Sequence, residues 1–253
     1  MSAAEPLDGK VALVTGGNRG LGRGMALALA EAGADVALGA RDQASLDAVA
    51  NEVRGLGRRA LAVSTDVTSS AAVDALVAAA VEQLGGLDVL VNNSGVLHPQ
   101  PLIETADEDW DRVIATNLRG NFLCCRAAGR VFKQRGAGKV VNIASNFAYM
   151  GVPGFVSYCS SKAAVVAFTR ALAVEWAPLN VQVNAIAPGY FESDMNAELR
   201  ADEDLLKRTL RQIPQRRMGQ PHELGPLVVY LASAASDFMT GETLLLDGGQ
   251  AAR

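Results

Sequence analysis

The sequence predicts an α/β fold in which one doubly wound parallel sheet is covered by helices on both faces. Short apolar runs rich in valine, isoleucine and leucine alternate with longer amphipathic stretches along the chain, as is typical of such sheets. Hydrophobic residues make up 49% of the 253 residues, enough to bury a sizeable core. Since no linker or low-complexity stretch interrupts the alternation, we predict a single domain over residues 1–253.

Seven short apolar runs are predicted strands, because their length and β-branched content suit strands that are buried on both faces. They span residues 10–15, 35–40, 59–65, 87–92, 138–144, 181–186 and 243–247. The amphipathic stretches between them are predicted helices over residues 20–32, 43–56, 69–84, 107–135, 157–177 and 221–235. Several of these helices are opened by residue types that commonly cap N-termini, namely Thr68, Asp107 and Ser157.

The segment over residues 190–218 does not follow the alternation of predicted strands and helices. It is long and charged, and it lies between the sixth predicted strand and the last predicted helix. Ligands of open α/β sheets bind beyond the carboxyl ends of the strands, so an excursion at this place could cover one. We therefore predict a helical insertion or lid over residues 190–218.

Charge and cysteine content exclude several function classes. The formal net charge is −4 and no basic run with interleaved aromatic residues occurs, so nucleic acid is not an expected partner. His98, His222 and the three cysteines show no spacing of a metal site, and we predict no bound metal. The odd number of cysteines and the adjacent pair Cys124 and Cys125 favour small buried hydrophobes over disulfides.

No membrane partner is expected either. The N-terminal sequence MSAAEPLDGK is too polar for a signal peptide, and no apolar stretch approaches the roughly 18 residues of a membrane span. We predict a cytoplasmic protein that acts on a small molecule.

A glycine-rich turn, TGGNRGLG, follows the first predicted strand directly and leads into the first predicted helix. Glycines allow a tight turn that brings backbone N–H groups and a helix N-terminus against a pyrophosphate. The position of this turn in a βαβ unit favours a dinucleotide site over a purely structural turn.

The end of the second strand indicates which dinucleotide binds. A carboxylate there suits the ribose 2′-hydroxyl of NAD, whereas arginine attracts the 2′-phosphate of NADP. Here Ala40 is followed by Arg41, and Arg19 lies within the glycine turn. NADP(H) is therefore favoured over NAD(H), although Asp42 could pair with Arg41 or lie near the ribose, and either arginine could be a solvated surface charge.

Tyr158 and Lys162 lie four residues apart in a stretch with helical apolar spacing, so their side chains share one face. A nearby ammonium favours phenolate and lowers the pKa of a phenol toward the working range. Spacing alone favours a chance pair on an exposed helix. Two further residues change this balance: Ser145 ends the strand KVVNIAS, where its hydroxyl could bind a substrate oxygen, and Asn117 is polar among apolar neighbours. Asn117 could also be a helix-packing amide.

These motifs together resemble the short-chain dehydrogenase/reductase family. The turn TGGNRGLG is similar to the family's TGxxxGxG, NNSG at 92–95 is similar to its NNAG, and Asp66 and Val67 match its adenine contact. Asn117, Ser145, Tyr158 and Lys162 match its catalytic tetrad, and Pro188-Gly189 and Asp247-Gly248-Gly249 match its later motifs. The resemblance runs from Lys10 to Gly249.

The resemblance implies a role for each matched residue. Tyr158 would be the general acid for carbonyl reduction and the base for alcohol oxidation, while Lys162 would lower its pKa and hold the nicotinamide ribose. Ser145 would orient the carbonyl, and Asn117 would position a water that links Lys162 to solvent. The implied cofactor site comprises Gly16, Asn18, Arg19, Gly20, Leu21, Gly22, Arg41, Asp66, Val67, Asn93, Ser94, Gly95, Tyr158, Lys162, Pro188, Gly189, Phe191 and Ser193.

The family also implies a Rossmann sheet of order 3-2-1-4-5-6-7 and a homotetramer, or a dimer, assembled partly through the helices at 107–135 and 157–177. Two departures from its motifs are mild. Ser94 replaces the alanine of NNAG, and Ser193 replaces a threonine whose hydrogen bond to the nicotinamide amide a serine can also make.

The substrate is less well defined. Candidate lining residues are Ser145, Asn146, Phe147, Tyr149, Met150, Phe155, Phe191 and His98, and each could equally be a packing residue. His98 is favoured as a loop residue over a catalyst. The expected reaction moves hydride between nicotinamide and a ketone or secondary alcohol, such as a 3-oxoacyl thioester, a sugar or sugar acid, or a cyclic ketone.

Two alternatives to that reaction stay open at this point. Sugar-nucleotide epimerases and dehydratases also use a YxxxK pair, but they usually carry a substantial C-terminal substrate domain. A non-catalytic NADP-sensing or scaffold protein would be favoured by a broken tetrad, and all four tetrad residues are present.

Overall fold

A computed structural model describes residues 5–252 and contains seven strands. The strands are β1 (Val11–Thr15), β2 (Asp35–Ala40), β3 (Ala60–Ser64), β4 (Val89–Asn92), β5 (Gly138–Ile143), β6 (Val181–Pro188) and β7 (Thr243–Leu246). The helices between them are α1 (Gly20–Glu31), α2 (Gln43–Gly55), α3 (Ser70–Leu84), α4 (Asp107–Ile114), α5 (Gly120–Arg135), α6 (Val156–Trp176), α7 (Ala197–Ala201), α8 (Glu203–Arg211) and α9 (Gly225–Ala232).

The strands form one parallel sheet in the order β3-β2-β1-β4-β5-β6-β7, which confirms the predicted fold class. The chain reverses its direction of winding between β1 and β4, and this switch point is where open α/β sheets bind ligands. Thr15 at the end of β1 is in register with Asn92 at the end of β4, which in turn faces Asn142 on β5. The carboxyl ends of the central strands therefore meet at one edge.

Apolar side chains cover both faces of the sheet. On one face Met25, Leu46 and Val228 belong to a cluster formed by α1, α2 and α9. On the other face Leu76 and Phe132 belong to a cluster formed by α3, α5 and α6. The five central strands, β1, β2, β4, β5 and β6, are almost fully buried. Burial on both faces explains why their sequences are continuous apolar runs rather than alternating ones.

The predicted helix over 107–135 is interrupted. Residues Ala115–Arg119 form a π turn between α4 and α5, a local widening that periodicity does not reveal and that is frequent at functional sites. The predicted helix over 221–235 is likewise shorter. It begins as a 3₁₀ turn over Pro221–Leu224, continues as α9 and ends before Ser233.

The three predicted N-caps were wrong. Ser69, not Thr68, caps α3 by accepting a hydrogen bond from Ala72 N, because Thr68 is held by the carboxylate of Asp66. Asp107 is the first residue within α4 and Ser157 the second within α6, so neither occupies the capping position.

Residues 190–218 contain the helices α7 and α8. Cys124 and Cys125 are buried on α5, as predicted, and burial raises the pKa of the Cys124 thiol to about 12. Within residues 5–252 no group of three or more histidine, cysteine or acidic residues could hold a metal ion. No helix in the same range is both long enough and apolar enough to cross a membrane.

Candidate active site

Tyr158 and Ser145 meet at the carboxyl edge of the sheet. Ser145 follows the end of β5, and Tyr158 lies in the first turn of α6. The Ser145 hydroxyl accepts a hydrogen bond from Phe147 N at 3.2 Å, and it lies close enough to the Tyr158 phenol to lower the pKa of that phenol. The strand end and the helix start thus bring the two predicted site residues to the same edge of the sheet.

Lys162 lies one helical turn after Tyr158, so its ammonium reaches the same pocket. Its Nζ donates to the backbone oxygen of Ile143 at 2.7 Å and lies 5.7 Å from the centre of the Tyr158 ring. The residue is only 4% exposed. A buried cation with one neutral acceptor is costly for folding, and such groups are concentrated at functional sites.

Burial dominates the ionisation of both groups. It raises the pKa of the Tyr158 phenol to about 12, although the Ser145 hydrogen bond acts in the opposite direction. It lowers the pKa of the Lys162 amine to about 8. The lowering of the phenol pKa that the Tyr158–Lys162 spacing predicts is therefore not seen, because loss of hydration is the largest influence on this group. At neutral pH Tyr158 keeps its proton and can donate it.

Asn117 lies in the π turn with its amide fully occupied. Its Oδ1 accepts from Val96 N at 2.8 Å, and its Nδ2 donates to Val96 O at 2.9 Å and to Ser161 Oγ at 3.0 Å. Ser161 Oγ donates in turn to the backbone oxygen of Tyr158 at 2.7 Å. Asn117 thus ties the loop after β4 to α6, and Ser161 is a link in the site that the sequence reasoning missed.

The glycine turn fits a dinucleotide pyrophosphate. Gly16 has a left-handed φ of +62°, and a methyl group at Gly22 would collide with the backbone oxygen of Gly16. Arg19 precedes α1 and its side chain makes no capping hydrogen bond. The first N–H groups of α1, from Gly20 and Leu21 onward, are therefore available to a bound anion.

The segment 93–95 connects this turn with the catalytic residues. Thr15 Oγ1 accepts from Asn93 N at 3.0 Å and from Ser94 N at 3.1 Å, while Asn93 Nδ2 donates to Thr15 O and Gly16 O, each at 3.0 Å. A Cβ on Gly95 would lie 3.5 Å from the Nζ atom of Lys162. Thr15 was missed as a site residue, although it is the first letter of the motif TGGNRGLG.

Arg41, directly after β2, and Arg19, in the glycine turn, are both exposed. The carboxylate of Asp42 caps α2 by accepting from Ala44 N at 3.1 Å, so this acid is engaged with the helix rather than with Arg41. Hydrogen bonds from Ser45 are the main cause of the lowered Asp42 pKa, with a smaller contribution from Arg19. The Ser45 hydroxyl also accepts from Asn18 Nδ2 at 2.9 Å.

The predicted adenine contact is held by local bonds. Thr68 N and Oγ1 donate to Asp66 Oδ1 at 2.9 and 2.8 Å and, as the main cause, lower the pKa of Asp66, with a smaller effect from Arg41. Val67 is buried and faces Gly120 at the start of α5. The two side chains therefore differ in environment, with one exposed carboxylate beside one buried apolar group.

The segment after β6 returns to the glycine turn. Pro188 ends β6, and Gly189 N donates to Leu246 O at 3.0 Å. Ser193 packs against Gly20, where an added Cβ would lie 3.4 Å away. Phe191 is 5% exposed and its ring lies against Gly219, so its side chain belongs to the core. Only the backbone of Phe191 is left to contact a cofactor or substrate.

Aromatic rings line the space beside Tyr158. The Phe147 ring lies 5.4 Å from Phe155, 6.0 Å from Tyr158 and 5.9 Å from Tyr190, each in an edge-to-face arrangement. Two of the predicted lining residues, Phe147 and Phe155, thus come together here. Tyr190 was missed, since a single tyrosine after Pro188-Gly189 has no signal of its own in the sequence.

The remaining substrate candidates differ in burial and in contacts. Tyr149 is exposed, Met150 is half-buried and Asn146 is buried. His98 contacts Gln100, Asp109 and Arg112 at 3.1 to 3.3 Å, which ties its loop to α4. The structure therefore favours the interpretation of His98 as a loop residue.

Known proteins match this chain over nearly its whole length. A family model described as enoyl-(acyl carrier protein) reductase matches residues 16–251. A curated 2-dehydro-3-deoxy-D-gluconate 5-dehydrogenase from Dickeya dadantii is 43% identical, over 98% of this chain and 97% of the relative. A 3-oxoacyl-[acyl-carrier-protein] reductase from Synechocystis is 39% identical, over 96% of this chain and 97% of the relative. The chain belongs to the short-chain dehydrogenase/reductase family.

A solved structure shares the fold over the same length. A gluconate 5-dehydrogenase from Burkholderia cenocepacia, in complex with NADP and tartrate, matches with a TM-score of 0.94 and 36% identity, covering 99% of this chain and 98% of that one. As a member of this family, the chain is a nicotinamide-dependent oxidoreductase acting on CH–OH groups and the corresponding carbonyls. The relatives named here are all dehydrogenases or reductases and give no support to an epimerase or a non-catalytic sensor.

Proposed function

We propose that Tyr158 exchanges a proton with the substrate oxygen while Ser145 orients that oxygen. Bound nicotinamide would supply or accept the hydride at the carbonyl carbon. In reduction the phenol O–H bond breaks and the proton goes to the oxygen; in oxidation the phenolate takes it back. The observation that carries this assignment is the position of Tyr158 beside the end of β5, where Ser145 lies, with the buried Nζ of Lys162 5.7 Å from the Tyr158 ring centre.

We assign Lys162 and Asn117 to proton supply and to positioning. Lys162 places a titrating amine 5.7 Å from the Tyr158 ring centre and would hold the nicotinamide ribose. The side chain of Asn117 is occupied by Val96 and Ser161. We therefore propose that a backbone carbonyl of the π turn, rather than the Asn117 side chain, holds a water that joins Lys162 to solvent. In a π turn the hydrogen bonds span five residues instead of four, so a carbonyl there loses its usual helical partner.

For the substrate we propose a sugar acid or its oxo form. Support comes from the relatives that are named for gluconate and its 2-dehydro-3-deoxy derivative. It comes also from the residue types near Tyr158, where Phe147 contacts Phe155 and Tyr190 and so brings apolar rings and a phenol together. A 3-oxoacyl thioester is the second candidate, since a relative of similar identity is named for that activity.

The test of this function is NADPH oxidation, and NADP⁺ reduction in the other direction, across a panel of oxo sugar acids, sugars, quinones, cyclic ketones and 3-oxoacyl thioesters. We expect the highest kcat/KM with an oxo sugar acid. A kcat/KM at least tenfold higher for an acyl thioester would instead favour the second candidate. No turnover of any carbonyl or alcohol would contradict the proposal as a whole.

We propose that the enzyme prefers NADP(H), with Arg19 and Arg41 binding the 2′-phosphate and Asn18 and Ser45 nearby. Support comes from the exposure of both guanidinium groups and from the engagement of Asp42 in capping α2. Arg41→Ala should lower kcat/KM for NADPH about tenfold, because a charge-assisted hydrogen bond contributes about 1.5 kcal/mol or more. The value for NADH should change by less than about twofold.

Arg54→Ala on the outer part of α2 is the matched control for Arg41→Ala, because Arg54 is also an exposed arginine but its guanidinium bonds to Asn51 and Ala60. Arg54→Ala should leave kcat/KM unchanged for both NADPH and NADH. A wild-type enzyme that prefers NADH would contradict the role of the two arginines.

We propose that residues 190–218 act as a lid over the bound cofactor within a single catalytic domain. Support comes from two contacts of this segment with the glycine turn: Arg19 pairs with Asp194 at 3.6 Å, and Ser193 packs on Gly20. Protection of this segment from limited proteolysis by NADPH would support a lid, and an unchanged cleavage rate would contradict it.

We also propose a homotetramer. Phe122 on α5 and Val174 on α6 are exposed apolar side chains on the two helices expected at the interfaces. Light scattering of the purified protein gives the mass that checks this assembly. The cytoplasmic location stays a prediction of the sequence.

A further inference from the structure

Two buried side-chain amides, those of Asn146 and Gln250, are hydrogen-bonded to each other next to Ser145. Asn146 follows Ser145 in the chain, and its Nδ2 donates to Gln250 Oε1 at 2.9 Å. Asn146 is 1% exposed and Gln250 is 2% exposed, although 104 positions separate them. Neither side chain belongs to the motifs of the cofactor site or the tetrad. Two buried amides at this place therefore need a reason beyond filling space.

The turn after β7 directs Gln250 inward. Gly248 and Gly249 have left-handed φ values of +64° and +86°, which other residues rarely adopt. The carboxylate of Asp247 accepts from Gly249 N at 2.9 Å and from Ala251 N at 2.7 Å. Gln215, which belongs to the segment 190–218, donates its backbone N–H to Gly248 O at 3.2 Å and so stabilises the turn. Gln250 is thus presented to Asn146 by a closely bonded turn.

The hydrogen bond to Gln250 determines which atom of the Asn146 amide faces Ser145. Because Nδ2 of Asn146 is used by Gln250, its Oδ1 faces the Ser145 hydroxyl, 3.5 Å away. The Ser145 oxygen also accepts from Phe147 N. The serine proton is therefore directed to the Asn146 oxygen, and this long bond is weak enough to exchange. A substrate oxygen can take that proton without a movement of the Ser145 side chain.

We propose that Gln250 is a positioning residue for the reaction, which acts by holding Asn146 so that Asn146 keeps the Ser145 hydroxyl aligned with Tyr158. The inference rests on the proposed function, since it takes Ser145 and Tyr158 as the groups that meet the substrate oxygen. Gln250 itself is not a catalytic residue.

Gln250→Met tests this, because methionine has nearly the same length and no comparable acceptor. With the best substrate of the panel, kcat should fall about tenfold, since small misplacements of reacting groups cost this much or more. The Kd for NADPH should stay within about twofold. Gln83→Met, an exposed glutamine near the end of α3, is the matched control and should leave both values unchanged.

The pH profile separates positioning from a merely structural role. The Ser145 hydrogen bond favours the phenolate of Tyr158, so a misaligned serine should move the midpoint of alcohol oxidation to higher pH in Gln250→Met. A lower kcat with an unchanged midpoint would indicate general loosening of the fold and overturn the inference.

A double-mutant cycle identifies the route of the effect. If Gln250 acts through Asn146, Gln250→Met should lower kcat no further in an Asn146→Ala background. An equal fall in both backgrounds, or an unchanged kcat in the single variant, would overturn the inference while wild-type turnover still supports the proposed function. Absence of Tyr158-dependent turnover in the wild type would overturn both. If Gln250→Met does not fold, Gln250→Asn withdraws the same acceptor and takes its place.

Discussion

Tyr158→Phe should lower kcat by about a thousandfold or more while leaving the Kd for NADPH within about threefold. The substitution removes one hydroxyl, and general acid catalysis contributes about 10²–10⁴ in rate. Burial holds the pKa of this phenol at about 12, so the wild-type group carries its proton at neutral pH and serves carbonyl reduction there. Steady-state kinetics in both directions, with NADPH binding followed by fluorescence, check the result.

The matched control is Tyr230→Phe, because Tyr230 lies on α9 and is partly exposed. It should be indistinguishable from the wild type. Persistent turnover in Tyr158→Phe would remove Tyr158 from the proton-transfer step. A loss of NADPH binding equal to the loss of kcat would instead make the residue a cofactor ligand.

The raised pKa of Tyr158 also gives the direction of the pH dependence. Oxidation of an alcohol requires the phenolate, so its rate should rise with pH through the alkaline range, whereas reduction should hold at neutral pH. The spacing of Tyr158 and Lys162 predicts the opposite shift, because spacing shows that two charges are near each other but not how much water each has lost. Burial is a property of the folded chain.

The fold was predictable because its signal is local and repeated. Each buried strand is a continuous apolar run and each helix an amphipathic one, so the bounds of β2 and β5 agree with prediction to within a residue. The π turn at Ala115–Arg119 was not predictable, since its sequence has helical character and the contacts of Asn117 with Val96 and Ser161 join residues that are far apart in the chain.

The difference between local sequence patterns and contacts between distant residues also explains which parts of the site were predictable. Residues within one motif, such as Tyr158 and Lys162, were predicted to meet because one helix turn brings them together. The pair of Asn146 and Gln250 joins two loops far apart in the chain, and no periodicity links them. Sequence reasoning therefore finds the reacting groups more readily than the residues that hold them.

Lys162→Met should abolish turnover to a similar extent as Tyr158→Phe, yet it should change stability in a way that depends on pH. Lowering the lysine pKa from 10.5 to about 8 corresponds to about 3 kcal/mol of desolvation at neutral pH. Removing the amine relieves this penalty but leaves the Ile143 carbonyl without its donor, which costs about 1–3 kcal/mol. The two effects offset each other at pH 7, so the Tm should change by only a few degrees.

The sign of the pH dependence follows from linkage. Between the folded pKa near 8 and the unfolded value of 10.5, the unfolded chain binds more protons at Lys162 than the folded one, so the wild type gains stability as pH rises. Lys162→Met lacks this gain. Relative to the variant, the wild type should therefore be more stable at pH 10 than at pH 7, by up to about 3 kcal/mol.

Urea unfolding of both proteins at the two pH values measures this difference, and groups that titrate alike in both proteins cancel. Lys133→Met on α5 is the matched control, because Lys133 is exposed, and its difference from the wild type should not vary with pH. A pH-independent difference for Lys162→Met would mean that the amine is already hydrated in the folded protein. In that case its position beside Tyr158 would not tune proton transfer near pH 8, and the proposed role of Lys162 would reduce to binding.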